Sequence, residues 1–159
     1  MRFIMGGEME ITVLDKADKK KSLQELAPYG IESLDYLLIH AGHRLRIFSG
    51  LLSKHELIRL MQSVHVDNLG LYFASLKEGF RLHLDAVHLL KEQLKERIVI
   101  LNDNSAAQWF RGEPLDVTEN LSFPKGSFVL LKNGDDFIGI GKFTGDKILN
   151  FLPKERLIR

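Results

Sequence analysis

The chain has 159 residues, 45% of them hydrophobic and 27% charged, enough for a buried core in one large or two small domains. Its formal net charge is only +1, so there is no global basic field for drawing in nucleic acid, and any such surface must be local. It has no cysteine, which excludes disulfides, thiolate metal sites and every mechanism with a cysteine nucleophile.

No apolar run approaches the roughly 18 residues of a membrane span. The opening Met1-Arg2-Phe3-Ile4-Met5 is too short for a signal-peptide core, so a cytoplasmic location with no membrane partner is expected. Met9 opens the first well-patterned segment, and residues 1 to 8 are expected to be a loose extension or an upstream start. Ile11-Thr12-Val13-Leu14 reads as a strand from its β-branched content. Asp18 is then the expected N-cap of a short helix with Leu23, Leu26 and Ala27 on one face, ending before Pro28 and Gly30. Lys19-Lys20-Lys21 lies in its first turn and reads as a solvated face.

Two apolar runs, Asp35 to His40 and Leu45 to Phe48, flank Gly42 and predict a hairpin. Ser53 and Glu56 stand three apart ahead of Leu57, Leu60 and Met61, which is the pattern of a capping box opening a helix. A second hairpin is expected from Leu69 to Leu84 around Lys77-Glu78-Gly79. Asp85 is the expected cap of a helix that buries Val87, Leu90 and Leu94. Strand, helix, hairpin, helix, hairpin, helix is the order of an α+β domain on a largely antiparallel sheet.

From Arg97 the texture changes to short strands and turns. Ile98 to Leu101 reads as a strand. Asn104-Ser105 is the expected cap of a short helix through Trp109-Phe110, stopped by Gly112 and Pro114. Phe128 to Leu131 and Phe137 to Phe143 flank Asn133-Gly134, the strongest short hairpin signal, and Ile148 to Leu152 follows. Residues 1–94 and 95–159 are therefore read as two domains, the second a small β barrel or roll with one helix. With no linker composition between them, they are expected to pack together.

Catalytic motifs are absent. His55-Glu56 lacks the second histidine of a zinc-protease helix, and His40/His43 and His83/His88 fall across turns and element junctions. No metal site or cofactor is expected. There is no nucleophile elbow or phosphate loop, and Gly139-x-Gly141 is too little for a dinucleotide fingerprint.

What stands out is Phe137-Ile138-Gly139-Ile140-Gly141-Lys142. Two glycines at i and i+2 leave one face of a strand bare, which marks a bend or a close approach. From Lys142 onward five positive side chains (Lys142, Lys147, Lys154, Arg156, Arg159) face two negative ones (Asp146, Glu155). Such a strip suits a sugar-phosphate backbone. It equally suits a barrel closed by a glycine-bent strand with a solvated basic tail.

Trp109-Phe110-Arg111-Gly112-Glu113, Lys125-Gly126 before Phe128-Val129-Leu130-Leu131, Gly139-Ile140-Gly141-Lys142 and Asn150-Phe151-Leu152-Pro153-Lys154 form an ordered series. Over residues 95 to 159 it resembles a PUA domain, and more narrowly the RNA-binding PUA module that ends the Fmu/Sun-type RNA cytosine-5 methyltransferases. In this chain Ile140 stands where that family often has Trp, and Arg156 or Arg159 takes the place of its terminal arginine. The enzyme part, which attacks pyrimidines through cysteine, has no counterpart.

The resemblance implies a stand-alone, archaeal-type, non-catalytic RNA-binding protein of ribosome biogenesis. A pre-PUA-like α+β domain (1–94) would precede a PUA-like β barrel (95–159). Its partners would be RNA (rRNA or tRNA) and an RNA-modifying enzyme or pre-ribosomal proteins. The implied RNA-binding residues are Arg111, Gly139, Gly141, Lys142, Asn150, Lys154, Arg156 and Arg159. Trp109 and Phe110 are candidates for base stacking or, equally, for the core. The alternative is a protein-interaction adaptor in which the first domain binds a partner and the PUA fold is a scaffold.

Overall fold

The computed structural model describes residues 3–5, 9–66 and 68–158. The chain forms two compact units, one ending at Leu94 and one beginning at Lys95. Among the described residues no helix is long and apolar enough to cross a membrane.

The first unit is a six-stranded sheet whose strands lie side by side in chain order: β1 (Phe3–Met5), β2 (Met9–Val13), β3 (Leu37–Ala41), β4 (Arg44–Phe48), β5 (Leu71–Ser75) and β6 (Arg81–Leu82). Every pairing is antiparallel. Within the expected extension or upstream start, Phe3 to Met5 pair with Ile11 to Met9, and residues 1, 2 and 6–8 lie outside the described residues. Helix α1 (Lys16–Leu26) connects β2 to β3, α2 (Lys54–Ser63) connects β4 to β5, and α3 (Leu84–Leu89) follows β6. Strand alternation turns Leu37, Ile39 and Ala41 to one face, where with Ile11 and Val13 they meet Leu57, Ile58 and Met61 of α2.

The capping box of α2 is present. The amide of Glu56 donates to the Ser53 hydroxyl at 3.3 Å, and the Ser53 amide donates to the Glu56 carboxylate at 2.8 Å. The other two caps are not where the sequence placed them. The N-cap of α1 is Asp15, whose carboxylate accepts from the Asp18 amide at 2.9 Å. α3 starts at Leu84 with His83 as N-cap, and Asp85 sits in its first turn with its carboxylate 3.3 Å from the His83 Nδ1. Val87, Leu90 and Leu94 are buried, as their spacing requires.

The second unit comprises β7 (Ile98–Leu101), α4 (Asp103–Phe110), β8 (Leu115–Asp116), β9 (Phe128–Asn133), β10 (Asp136–Phe143) and β11 (Lys147–Asn150). Its sheet runs β7-β9-β10-β11-β8, with β7 parallel to β9 and the remaining pairs antiparallel. The sheet curls into a half-barrel with β7 and β8 as its edges, rather than closing into a full barrel. Asn133 pairs with Asp136 around the predicted Asn-Gly turn. Phe128 to Leu131 are all buried, the near-continuous apolar run of a central strand. The core gathers Trp109, Val129, Leu131, Phe143, Leu115 and Ile148.

The N-cap of α4 is Asn102, two residues before the predicted one; its Oδ1 accepts from the Ser105 amide at 2.9 Å. Asn102→Ala should destabilise the second unit by about 1 kcal/mol, read from urea unfolding. In α2, the Ser53 hydroxyl and then the Ser53 amide hold the Glu56 carboxyl below its ordinary range. That contribution is complete above the unfolded value of about 4.3 and is lost as pH falls through the lower folded value. Glu56→Gln should therefore be less stable than the parent at neutral pH, and the gap should close in acid.

Candidate nucleic-acid interface

β10 is the long inner strand of the half-barrel, and its register shifts between Phe137 and Gly139. Gly139 then pairs with Leu131 and Gly141 with Val129, residues of the core cluster. α4, whose start is fixed by Asn102, delivers Trp109 beneath this strand, where it is wholly buried. A Cβ added at Gly139 would collide with the Trp109 Nε1. One at Gly141 would collide with the Ile148 Cγ2 and lie 3.1 Å from the Trp109 Cη2. The face that the two glycines leave bare is thus the core face, filled by an indole. This corrects the expected reason for Gly139 and Gly141: both are buried, and they admit Trp109 rather than a sugar-phosphate backbone. It also decides Trp109 as core and not a stacking surface.

Asn150, at the end of β11, is a latch. Its Nδ2 donates to the carbonyl oxygens of Trp109 at 2.7 Å and Glu113 at 3.2 Å, and its Oδ1 accepts from the Leu152 amide at 2.8 Å. It is a second donor to a carbonyl in the last turn of α4, which also accepts from the Gly112 amide at 2.9 Å, and helix-end carbonyls have no intrahelical partner of the regular kind. Its polar atoms are engaged in the fold, so its role is to position the tail.

The tail that follows is tied down a second time. The Ile158 amide donates to the Phe110 carbonyl at 2.9 Å. Leu157 packs where only glycine fits: Gly112 has φ +83°, and a Cβ there would lie 3.2 Å from the Leu157 Cδ2. Between these two ties a 3-10 turn, Lys154–Arg156, exposes Lys154 and Arg156.

Lys142 faces away from Trp109, opposite Phe128 in the register, with its ammonium 5.6 Å from the centre of the Phe128 ring. Phe151 meets the same ring edge-on at 5.6 Å. An aromatic pair therefore joins Lys142 to the tail that carries Lys154 and Arg156. Arg111, at the end of α4, donates from Nε to Glu113 at 2.9 Å, and both side chains are about half exposed, a pair worth little in stability. Lys147 is drawn to Asp116 of β8 at 3.7 Å. Arg159 lies outside the described residues.

Lys142 is thus linked through Phe128 and Phe151 to the segment that carries Lys154 and Arg156, and Arg111 lies at the helix end on which that segment is anchored. Gly139, Gly141 and Asn150 support that strip from beneath. Phe128 and Phe151, which link it, stand in the motif series read from the sequence but were given no part in binding there; the register that sets Lys142 opposite Phe128 supplies it. Among the described residues no three His, Asp or Glu side chains gather as a metal site would need.

Residues 96–158 match the family model of the RsmF methyltransferase PUA domain. Among solved structures, the chain is similar to a conserved PUA domain protein from Thermoplasma acidophilum. The two are 16% identical, the likeness covers 91% of this chain and 95% of that one, and the TM-score is 0.59. No curated protein matches. The fold is that of a PUA-domain protein, and the second unit resembles the module that ends the Fmu/Sun-type methyltransferases.

The clearance under β10 can be tested directly. Gly139→Ala should cost about 1–3 kcal/mol through overpacking against Trp109. Trp109→Phe, which shortens the ring system, should make the second loss smaller than additive in a double-mutant cycle followed by urea unfolding.

Proposed function

We propose that this PUA-domain protein is a non-catalytic RNA-binding factor that acts in rRNA maturation or modification during ribosome biogenesis, in the cytoplasm. In this reading Lys142, Lys154 and Arg156 contact phosphates of a structured RNA, rRNA or tRNA. Arg111 flanks them, and Arg159 is a further phosphate contact. Residues 1–94 serve as a pre-PUA-like domain, and a separately encoded RNA-modifying enzyme or pre-ribosomal protein is the partner.

One observation carries the reading. The segment bearing Lys154 and Arg156 is fixed at both ends, by Asn150 on the Trp109 and Glu113 carbonyls and by Ile158 on the Phe110 carbonyl. A basic tail that served only solubility would need no such ties. Held this way, its cations lose little further backbone freedom when they meet a phosphate, which is the advantage of a preorganised site. Lys142 is steadied by the Phe128 ring in the same manner. The absence of cysteine removes the nucleophile with which the related enzymes attack pyrimidines, which favours binding without chemistry.

Lys142→Ala and Arg156→Ala should each weaken binding to a structured RNA. Each should also lower the slope of log affinity against log salt, by about 0.9 for every phosphate that the truncated side chain no longer neutralises. Titrations of the folded variants at several salt concentrations measure both. Affinity and slope equal to those of the parent would reject the assignment.

A further inference from the structure

The first unit carries a second cationic surface that the PUA likeness does not account for. The pairing of β4 with β5 shifts between Leu45 and Arg46, so that Arg44 pairs with Ser75, Leu45 with Ala74 and Arg46 with Tyr72. Phe73 is the extra residue of a bulge, and Leu45, Phe73 and Ala74 are all buried. The bulge offsets the two-residue alternation and sets Arg44, Arg46, Tyr72 and Ser75 on one face of the sheet. Arg81 extends the row, because it pairs with Ser75. Along β3, α2 packs on Ile39 and Ala41, the cross-strand partners of Arg46 and Arg44; the arginine row lies one strand beyond.

The side chains of this row are ordered by one another. The guanidinium of Arg44, an exposed residue, lies 5.2 Å from the centre of the Tyr72 ring. Tyr72 and His83 stack with centroids 4.4 Å apart and planes 28° from parallel. Arg46 donates from Nε to the Leu69 carbonyl and from Nη2 to the Gly70 carbonyl, both at 2.6 Å, which pins the loop entering β5. Asp85, 3.3 Å from the His83 Nδ1, is the carboxylate beside the stack.

We propose that this face of the first unit is a second RNA-contact surface, which takes a single-stranded segment with phosphates on Arg44 and Arg81 and a base against the Tyr72–His83 stack. The proposal rests on the RNA-binding reading of the second unit. Cations in a row beside flat π faces are what a single strand requires, because the charges follow its backbone and the rings accept any base. The cations of this row, Arg44, Arg46 and Arg81, are arginines. A planar guanidinium forks onto phosphate and stacks on rings, which an ammonium does not do. The occupant argued here is therefore a polyanion with flat bases and not an acidic peptide, which would use the charges but leave the ring stack without a role.

The test uses the full chain and a mixed-sequence single-stranded RNA, titrated at several salt concentrations. Arg44→Ala should lower the salt slope by about 0.7, the value for one neutralised phosphate on a single strand. Tyr72→Leu should lose about tenfold in affinity, and Tyr72→Phe, which keeps the ring, should bind as the parent does. Lys20→Ala, an exposed charge on α1, serves as the control and should leave the slope unchanged. A Lys20 effect equal to that of Arg44 would overturn the site as general electrostatics. Parent-like affinity and slope in Arg44→Ala and Tyr72→Leu, with Lys142→Ala and Arg156→Ala still weakened, would overturn this surface alone and leave an acidic protein partner for the row. Parent-like binding in all four variants would overturn both readings. If Tyr72→Leu fails to fold, the slope of Arg44→Ala decides by itself.

Discussion

The second unit depends on the fit of one indole under one strand. Trp109 needs a flat clearing, and β10 supplies it by carrying no side chain at Gly139 and Gly141. Everything that locates the ring is local to it. Asn102 fixes where α4 begins, the turn at Gly112 ends it, and Asn150 takes the carbonyl of Trp109 itself. The indole Nε1 is buried without a hydrogen-bond partner among the described residues, a cost of about 1–3 kcal/mol that the burial of so large an apolar surface offsets. Because Asn150 also begins the basic tail, the same contact that seats the core seats the cations.

This explains how a chain of almost balanced charge can present a cationic strip. Positive side chains exceed negative ones by only one overall, and the fold draws several of their number to carboxylates. Lys147 turns to Asp116 and Arg111 to Glu113; Lys142 is set on a ring, and a turn strapped to α4 carries Lys154 and Arg156. The first unit does the same with a different device. Its bulge lines up arginines from two strands, β4 and β6, and the Tyr72 ring and two backbone carbonyls order those of β4. In both units it is position, not number, that makes the field.

Much of the architecture was legible in the chain. The capping box at Ser53, the hairpin at Gly42, the Asn-Gly turn and the α+β order all rest on local chemistry that tertiary contacts did not override. The caps of α1 and α4 were misplaced because Asp15 and Asp18, or Asn102, Asn104 and Ser105, are all competent acceptors. The choice falls to wherever the preceding chain is still extended. β8 has two residues, too few to show any period. Gly139 and Gly141 were correctly read as a bare strip, but a period of two says only that they share a face. Which face is decided by a tryptophan some thirty positions earlier. Asn150 illustrates the same limit, since an amide that binds carbonyls and one that binds phosphate look alike in sequence. The arginine row escaped for a sharper reason: without the bulge, Tyr72 and Ser75 would point to opposite sides.

The one parallel pairing in the second unit carries a consequence for how the chain assembles. β9, β10 and β11 are joined by tight turns and close their ladders at little entropic cost. β7 can pair with β9 only after all the chain from Asn102 to Ser127, α4 included, has been brought round. Contacts of such wide sequence separation are slow to form. The three-stranded meander is therefore the natural nucleus, and the docking of β7 and α4, with the ring sliding under the glycines, comes late. The basic tail is anchored on α4, so it is ordered only when that final step is complete.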